Sequence, residues 1–383
     1  MWCYRKAKAA ELSVVLQWLR RELDDISSTD TIHLITLRHL REELTQVEQS
    51  FGFITSALSL NDDVVGLAID RLLLSVHRFF VTTSTHYIAT LRRQLPLDLT
   101  VRDILLNACG RLRLHWIEDL VVCIDRPLAL LPRYRGLYSI PVFYGPPSLL
   151  DTILELPGIY HELGHNVFAR DDTFRRELAE IVKQYFATAK HLAGPMSAAQ
   201  KATRDRELDA AALSWTEGRL AEVFCDLFAG YVSGSANFGS IVEMSIMTAT
   251  NPYLTTSPRH PPEAARVRLS YLLLTDEQKQ NRTVENIRDA WNTFSGKFTS
   301  DLRYRQSCAD QLLRELASRT LALLSERLPD LPRYTAALPS LNAASAIGAG
   351  VTVEDVINAG VVILFEAPDE FLNWQKQAKP LIR

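Results

Sequence analysis

The stretch LPGIYHELGHNVFAR, residues 156–170, decides how this chain of 383 residues is interpreted. On an α-helix His161 and His165 lie one turn apart on the same face, so both imidazoles can bind one metal ion. Glu162 is rotated by about 100° from His161, where its carboxylate can reach a water coordinated to that metal. The spacing therefore predicts a zinc site with Glu162 as the general base of a hydrolysis. Two partly buried helix histidines beside a surface glutamate would give the same pattern, so further ligands are needed.

Two acidic residues on a later helix point to the same site. Glu222 and Asp226 are one turn apart in GRLAEVFCDLFA, residues 218–229, among apolar side chains. Burying two carboxylates without a cation is costly, so a metal ion or a cationic side chain is implied unless this is a solvated acidic face. The simplest assignment makes Glu222 the third metal ligand, while Asp226 orients a ligand imidazole by a hydrogen bond. Glu217 and Asp209 are the competing third ligands.

A third motif, SPRHPPEAAR at residues 257–266, holds a histidine on a turn that its prolines stiffen. From such a turn His260 can donate a hydrogen bond to the oxyanion of a tetrahedral intermediate. Arg266, just inside the following helix, can pair with one of the buried acids and hold this loop against the site. Tyr253 is a weaker oxyanion candidate. A histidine beside prolines is ordinarily a plain loop residue, so these roles depend on the other two motifs.

Together the HELGH motif, the Glu-x-x-x-Asp pair and His-Pro-Pro followed by Arg resemble the gluzincin zinc metallopeptidases. They are most similar to the branch of the CAAX-prenyl-type and heat-shock membrane endopeptidases, and the resemblance covers residues 119–271. It implies one Zn2+ ion per chain with three protein ligands, His161, His165 and Glu222. It also implies that Glu162 is the base, that Asp226 supports a ligand and that His260 acts on the transition state. The chain lacks the membrane helices of those relatives, so it would be a soluble member.

Periodicity along the chain predicts a mainly α fold of the α+β kind. A zincin-like catalytic core with a small mixed sheet is flanked by N- and C-terminal helical regions. The predicted regions are a helical bundle or arm at 1–112, the metallopeptidase core at 113–275 and a C-terminal helical region at 276–383. Helices are predicted over 30–58, 63–95, 149–170, 172–192, 207–231, 277–294, 296–327 and 353–365. A polar linker is predicted at 196–206.

Two short runs rich in β-branched and aromatic residues predict strands at 119–125 and 136–145. Pro141 cannot donate a hydrogen bond to a central ladder, so the second run is predicted to be an edge strand. In zincins such an edge beside the active-site helix pairs with an extended peptide substrate. The candidate substrate-binding residues are Tyr138, Ile140, Val142 and Tyr144. A strand that merely covers the core is an equal alternative.

Composition excludes several classes of protein. Lysine and arginine number 42 against 45 aspartates and glutamates, so the net charge of -3 argues against a nucleic-acid-binding protein or an anionic-membrane binder. No stretch of about 18 strongly apolar residues is present, and the N-terminus has no signal-peptide pattern. The 5 cysteines are dispersed and odd in number, which predicts reduced thiols and a cytoplasmic protein without a membrane anchor.

The leading interpretation is a zinc-dependent endopeptidase that cleaves a protein or peptide substrate. The alternative is a latent or regulatory metalloprotease-like protein whose helical regions bind a protein partner. Another zinc-assisted hydrolysis, such as that of an amidase, is a third and weaker interpretation.

Overall fold

The computed structural model divides the chain into two compact units, Met1–Pro147 and Ser148–Arg383. The residues that it describes are 2–26, 31–58, 63–88, 91, 96–117, 120–124, 129–131, 142–145, 156–192, 196–248, 250–255, 257, 259–348 and 350–382.

The first unit is mainly helical. Its helices are α1 (Trp2–Asp25), α2 (Thr31–Ala57), α3 (Asp63–Thr82) and α4 (Pro96–Arg111). The first three pack against one another, and the leucine stripe Leu12, Leu16, Leu19 and Leu23 is buried in their core. A bidentate ion pair joins α1 to α3, because Arg5 Nε and Nη2 each lie 2.8 Å from an oxygen of Asp70. The long helix predicted at 63–95 instead changes to a π-helical segment at Thr83–Ile88.

A three-stranded mixed sheet completes the first unit. It consists of β1 (Val121–Ile124), β2 (Ala129–Leu131) and β3 (Val142–Gly145), in the order β1-β3-β2. Strand β3 is parallel to β1 and antiparallel to β2. The predicted edge position of this strand is therefore wrong. The described strand begins after Pro141, so the missing N–H of the proline does not interrupt its ladder.

This sheet order also changes the prediction of a substrate-binding strand. Val142 and Tyr144 each have a partner on both sides, in β1 and in β2, and both are buried. Because pairing with an extended peptide requires a free strand edge, the predicted pairing through these two residues is wrong. Tyr138 and Ile140 lie outside the described residues.

In the second unit the described residues form helices joined by turns and loops. Its helices are α5 (Leu156–Arg170), α6 (Asp172–His191), α7 (Ala198–Ser214), α8 (Leu220–Ser233), α9 (Ser235–Met247), α10 (Glu263–Leu273), α11 (Asp276–Lys279), α12 (Arg282–Ser295), α13 (Leu302–Ser307), α14 (Asp310–Arg327), α15 (Leu341–Ser345), α16 (Val353–Glu366) and α17 (Phe371–Ala378). Short 3-10 segments cover Pro368–Glu370 and Lys379–Ile382, and a π-helical segment covers Trp215–Arg219. None of the described helices has the length and apolarity needed to cross a membrane.

Several helix bounds in this unit differ from the predicted ones. The predicted linker at 196–206 is helical from Ala198, because Ser197 and Gln200 form a capping box at its start. The predicted helix at 296–327 is divided into α13 and α14. The predicted helices at 172–192 and 353–365 are confirmed as α6 and α16.

Helices α5 and α8 lie side by side, and a glycine sets their distance. A Cβ atom on Gly164 of α5 would lie 3.0 Å from the Cα and 3.3 Å from the Sγ of Cys225 in α8. Only glycine allows this approach without moving a backbone.

The C-terminal helices also contact this pair. Tyr160 in α5 donates a hydrogen bond to Glu354 of α16 over 2.5 Å, and Asn358 Nδ2 donates to the carbonyl of Ser233 at the end of α8 over 2.9 Å. The C-terminal helices therefore contact and support the helices that carry the predicted ligands. The division of the chain into three regions stays a prediction.

Candidate metal centre

The two predicted histidine ligands lie next to each other on α5. Their ring centroids are 5.1 Å apart with nearly perpendicular planes. The side chain of His161 is 13% exposed and that of His165 is 21% exposed. A small molecule or ion can therefore reach both imidazoles, although most of each ring is covered by protein.

The predicted third ligand lies opposite these rings on α8. Glu222 Oε2 is 3.3 Å from His161 Nε2, and Glu222 Oε1 is 3.8 Å from His165 Nε2. The Oε2 atom is buried and accepts no hydrogen bond of acceptable geometry from the described residues. A buried carboxylate oxygen is costly unless a cation lies beside it, and either protonated His161 or a metal ion can be that cation.

Asp226, one turn after Glu222, binds the other side of His161. His161 Nδ1 donates a hydrogen bond to Asp226 Oδ1 over 2.8 Å. Arg266 forms a bidentate pair with the same carboxylate, from Nε over 2.7 Å and from Nη2 over 2.8 Å. The sequence predicted that Asp226 supports an imidazole and that Arg266 pairs with a buried acid, and the structure brings these groups together. With Nδ1 directed at Asp226, His161 presents Nε2 toward Glu222.

Charges at the centre follow from these contacts. Burial raises the pKa of Asp226, but the charge and hydrogen bonds of Arg266 outweigh it and hold that pKa well below its usual range. Burial likewise lowers the pKa of His161, yet the hydrogen bond to Asp226 and the nearby Glu222 raise it to about 10. Without a metal, His161 is therefore protonated on both ring nitrogens near pH 7 and lies between the carboxylates of Asp226 and Glu222. A metal ion at Nε2 would replace the proton on that nitrogen as the shared cation.

The second histidine has the opposite electrostatic environment. Burial, followed by repulsion from the charge of His161, lowers the pKa of His165 to about 4. His165 is thus neutral near pH 7, which is the form in which imidazole binds a metal ion.

His260 also reaches this centre, from the loop before α10. Its Nδ1 is 3.2 Å from Glu222 Oε2, and its side chain is 51% exposed. The loop lies close to the π-helical segment, since a Cβ on Gly218 would be 2.8 Å from the Cα of Arg259. Glycine at 218 thus allows Arg259, the neighbour of His260, to approach the π-helical segment that precedes α8.

Glu162 is almost fully covered, with 8% of its surface exposed. Its charge acts on His161, whose pKa it raises, and on Cys225 in α8, whose thiol pKa it also raises. The carboxylate therefore lies near the centre.

The competing third ligands lie elsewhere. Asp209 is 66% exposed and pairs with Lys190, and Glu217 is exposed on the π-helical segment. The ring of Tyr253, the weaker oxyanion candidate, packs edge-on against Tyr304 with centroids 4.9 Å apart.

A donor that sequence reasoning set aside as a core residue is Cys225. One ligand atom each of His161, His165 and Cys225 lie within 4.8 Å of one another. Burial, then the charges of Glu222, Glu162 and Asp226, raises the thiol pKa well above its usual value. The only signal in the sequence was its position beside Asp226, three residues after Glu222.

The donor set suits zinc. Zinc binds imidazole nitrogen and carboxylate oxygen at about 2.0–2.2 Å in a tetrahedron, so neighbouring ligand atoms lie roughly 3.3 Å apart. The observed separations of Glu222 Oε2 from His161 Nε2 and His260 Nδ1 are 3.3 Å and 3.2 Å, and Glu222 Oε1 lies 3.8 Å from His165 Nε2. The carboxylate of Glu222 thus lies at ligand-like distances from two of the neighbouring imidazoles.

No protein-family model, curated protein or solved structure matches this chain.

Proposed function

We propose that this chain is a zinc-dependent peptidase, with one zinc ion held by His161, His165 and Glu222. The observation that carries the proposal is that two imidazoles of α5 and the carboxylate of Glu222 in α8 face one another, with Glu222 Oε2 3.3 Å from His161 Nε2 and Oε1 3.8 Å from His165 Nε2. The resemblance of the three motifs to gluzincin metallopeptidases, including a zincin-like core, supports the same interpretation.

The residues of the chain have distinct tasks in this reaction. When bound, zinc polarises the peptide carbonyl and makes a water acidic enough to deprotonate near pH 7. Glu162 accepts the proton of the attacking water and returns it to the leaving amine. Its burial favours this role, because proton transfer within a shielded site does not compete with bulk water. Asp226 keeps the Nδ1 proton of His161 in place, so that Nε2 remains free for the metal.

His260 serves the transition state in this proposal. It lies at the solvent-exposed side of the centre, where an incoming peptide would pass, and its ring can donate a hydrogen bond to the developing oxyanion. Arg266 of α10 binds Asp226 of α8. This pair keeps α10, and the loop that precedes it, in position relative to α8.

Metal content is the first test. The purified chain should contain about one zinc per molecule by mass spectrometry of the metal, and His161→Ala should lose it. The matched control is His191→Ala, since that histidine is exposed at the end of α6. Folded wild-type protein that binds no zinc would overturn the proposal.

Cleavage is the second test. Glu162→Gln should retain zinc but lose cleavage of a proteome-derived peptide library, with new termini read by mass spectrometry. The control is Glu180→Gln on the exposed side of α6. Undiminished cleavage by Glu162→Gln would remove this residue from the mechanism. Product lengths separate an endopeptidase, which we propose, from an exopeptidase or an amidase.

The second candidate is a latent or regulatory protein whose helical regions bind a protein partner. The closeness of His260 Nδ1 to Glu222 Oε2, 3.2 Å, favours it, because a fourth protein ligand would close the metal to substrate. X-ray absorption spectroscopy of the zinc-loaded chain distinguishes the two candidates by the number of imidazoles bound, two or three.

The cytoplasmic location is part of the same proposal. Its support is that Cys109, Cys225 and Cys308 are buried and carry free thiols.

A further inference from the structure

A cavity of about 500 Å³ lies beside α10, on the opposite face from the metal centre. Ala264, Val267, Arg268 and Tyr271 line it, and their spacing places them on one face of that helix. Arg266, which binds Asp226, projects from the other face. The cavity and the metal centre are therefore separate sites that share one helix.

Aromatic rings form much of the wall of this cavity. They are Phe238, Tyr253, Tyr271, Trp291 and Tyr304. Phe238 contacts Tyr271 with ring centroids 5.5 Å apart, and Tyr253 contacts Tyr304 with centroids 4.9 Å apart. The volume is within the range of about 300–1,000 Å³ that small-molecule sites have, and such walls suit a flat apolar ring.

The charged groups of the cavity leave a positive excess. Its one described acid, Asp310, is neutralised by Arg268, at 2.7 Å, and by Arg314, at 2.6 Å. Arg288 donates a hydrogen bond to the hydroxyl of Tyr271 over 3.2 Å. Arg305 is exposed and forms no ion pair with any residue that the structure describes. Its guanidinium can bind an anion without first breaking an internal contact.

Tyr304 adds a polar group to the aromatic wall. Burial, and after it the nearby thiol of Cys308, raises the pKa of its hydroxyl well above the usual value. The hydroxyl therefore keeps its proton and can donate a hydrogen bond to an anionic group.

We propose that this cavity binds a small aromatic acid. The ring would pack between the aromatic side chains, and the anionic group would bind the guanidinium of Arg305. This site does not depend on the proposed peptidase activity, because none of the proposed metal ligands lines it.

Calorimetric titration of the full chain with 2-naphthoate, and separately with the uncharged 2-naphthamide, tests this site. We expect one binding site per chain and an acid that binds about tenfold more tightly than the amide, as one charge-assisted hydrogen bond provides. Arg305→Gln should remove this preference. Arg303→Gln is the matched control, because Arg303 on the same helix is 82% exposed and lies 3.6 Å from Glu207.

A cavity-filling variant separates binding inside the cavity from binding elsewhere. Ala309 lines the cavity, and Ala309→Trp should abolish binding of both compounds while circular dichroism shows an unchanged helical content. Absence of saturable binding to the wild type, or an acid preference that persists in Arg305→Gln, overturns the proposal.

Discussion

His161 Nδ1 donates a hydrogen bond of 2.8 Å to Asp226, and this contact decides which nitrogen of the ring can bind a metal. The same carboxylate is fixed from behind by two hydrogen bonds from Arg266. Three groups on three helices thus determine the direction of one imidazole. Through the contacts of Arg266 with Asp226 and of Asp226 with His161, the position of α10 determines the orientation of the His161 ring on α5.

Asp226→Asn should weaken zinc binding by roughly 10- to 100-fold, as loss of a carboxylate partner of a ligand histidine typically does. The change also removes the closest counter-charge of buried Arg266 and leaves it only the longer pair with Glu263, at 3.5 Å, so we expect a loss of about 3 kcal/mol in the free energy of unfolding. Chelator competition measures the first effect and denaturant titration the second. An unchanged zinc affinity would contradict the role assigned to Asp226.

Two substitutions in α8 test which side chain is the third metal ligand. Glu222→Gln should abolish zinc binding at micromolar metal, because the buried oxygen would lose its charge, whereas Cys225→Ser should retain one zinc per chain. Cys308→Ser serves as the control, since that cysteine is also buried and free. Zinc lost from Cys225→Ser but kept by Glu222→Gln would mean that the thiolate is the ligand.

Gly164→Ala tests the close approach of α5 and α8. The added methyl would lie 3.0 Å from the Cα of Cys225, so the helices must separate, and we expect about 1–3 kcal/mol of destabilisation. Gly52 in α2 is the matched control, because nothing lies within 4 Å of the position that a Cβ atom would take there. Gly52→Ala should stabilise its helix by roughly 0.5–1 kcal/mol. Equal effects of the two substitutions in thermal unfolding would refute this account of the packing.

Gly218→Ala tests how the His260 loop is held. A Cβ at 218 would lie 2.8 Å from the Cα of Arg259, so the loop must move and take His260 with it. We expect cleavage to fall by at least about tenfold, as loss of an oxyanion hydrogen bond would cause, while zinc content stays at one per chain. His260→Ala should have a similar effect, and the double variant should be no worse than either single variant. Additive losses would show that Gly218 acts on something other than His260.

The sequence placed the residues of each predicted pair on one helix face because the two members of a pair lie within one helical turn. His161 with His165, and Glu222 with Asp226, need only local helix geometry to share a face. The position of β3 was predicted wrongly because strand order depends on partners distant in the chain. A proline restricts only its own residue and its neighbours, so Pro141 carried no information about which strands flank β3.

Breaks within helices were equally hard to predict. The periodicity of 207–231 predicted one helix, whereas the structure has α7, a π-helical segment and α8 there. The apolar pattern continues through such a segment with a change of phase that a search for a regular period does not detect.

That change of phase has a consequence for insertions and deletions. A π-helical turn holds about one residue more than an α-helical turn, so Trp215–Arg219 rotates α7 relative to α8 by roughly 100° about the common axis. This rotation lets α7 pack against α6 while α8 keeps Glu222 toward α5. Deleting one residue there would restore a regular helix without removing any of the proposed ligands. Related chains that differ by one residue at this point would therefore share the ligands but present a different side of α7 to their surroundings.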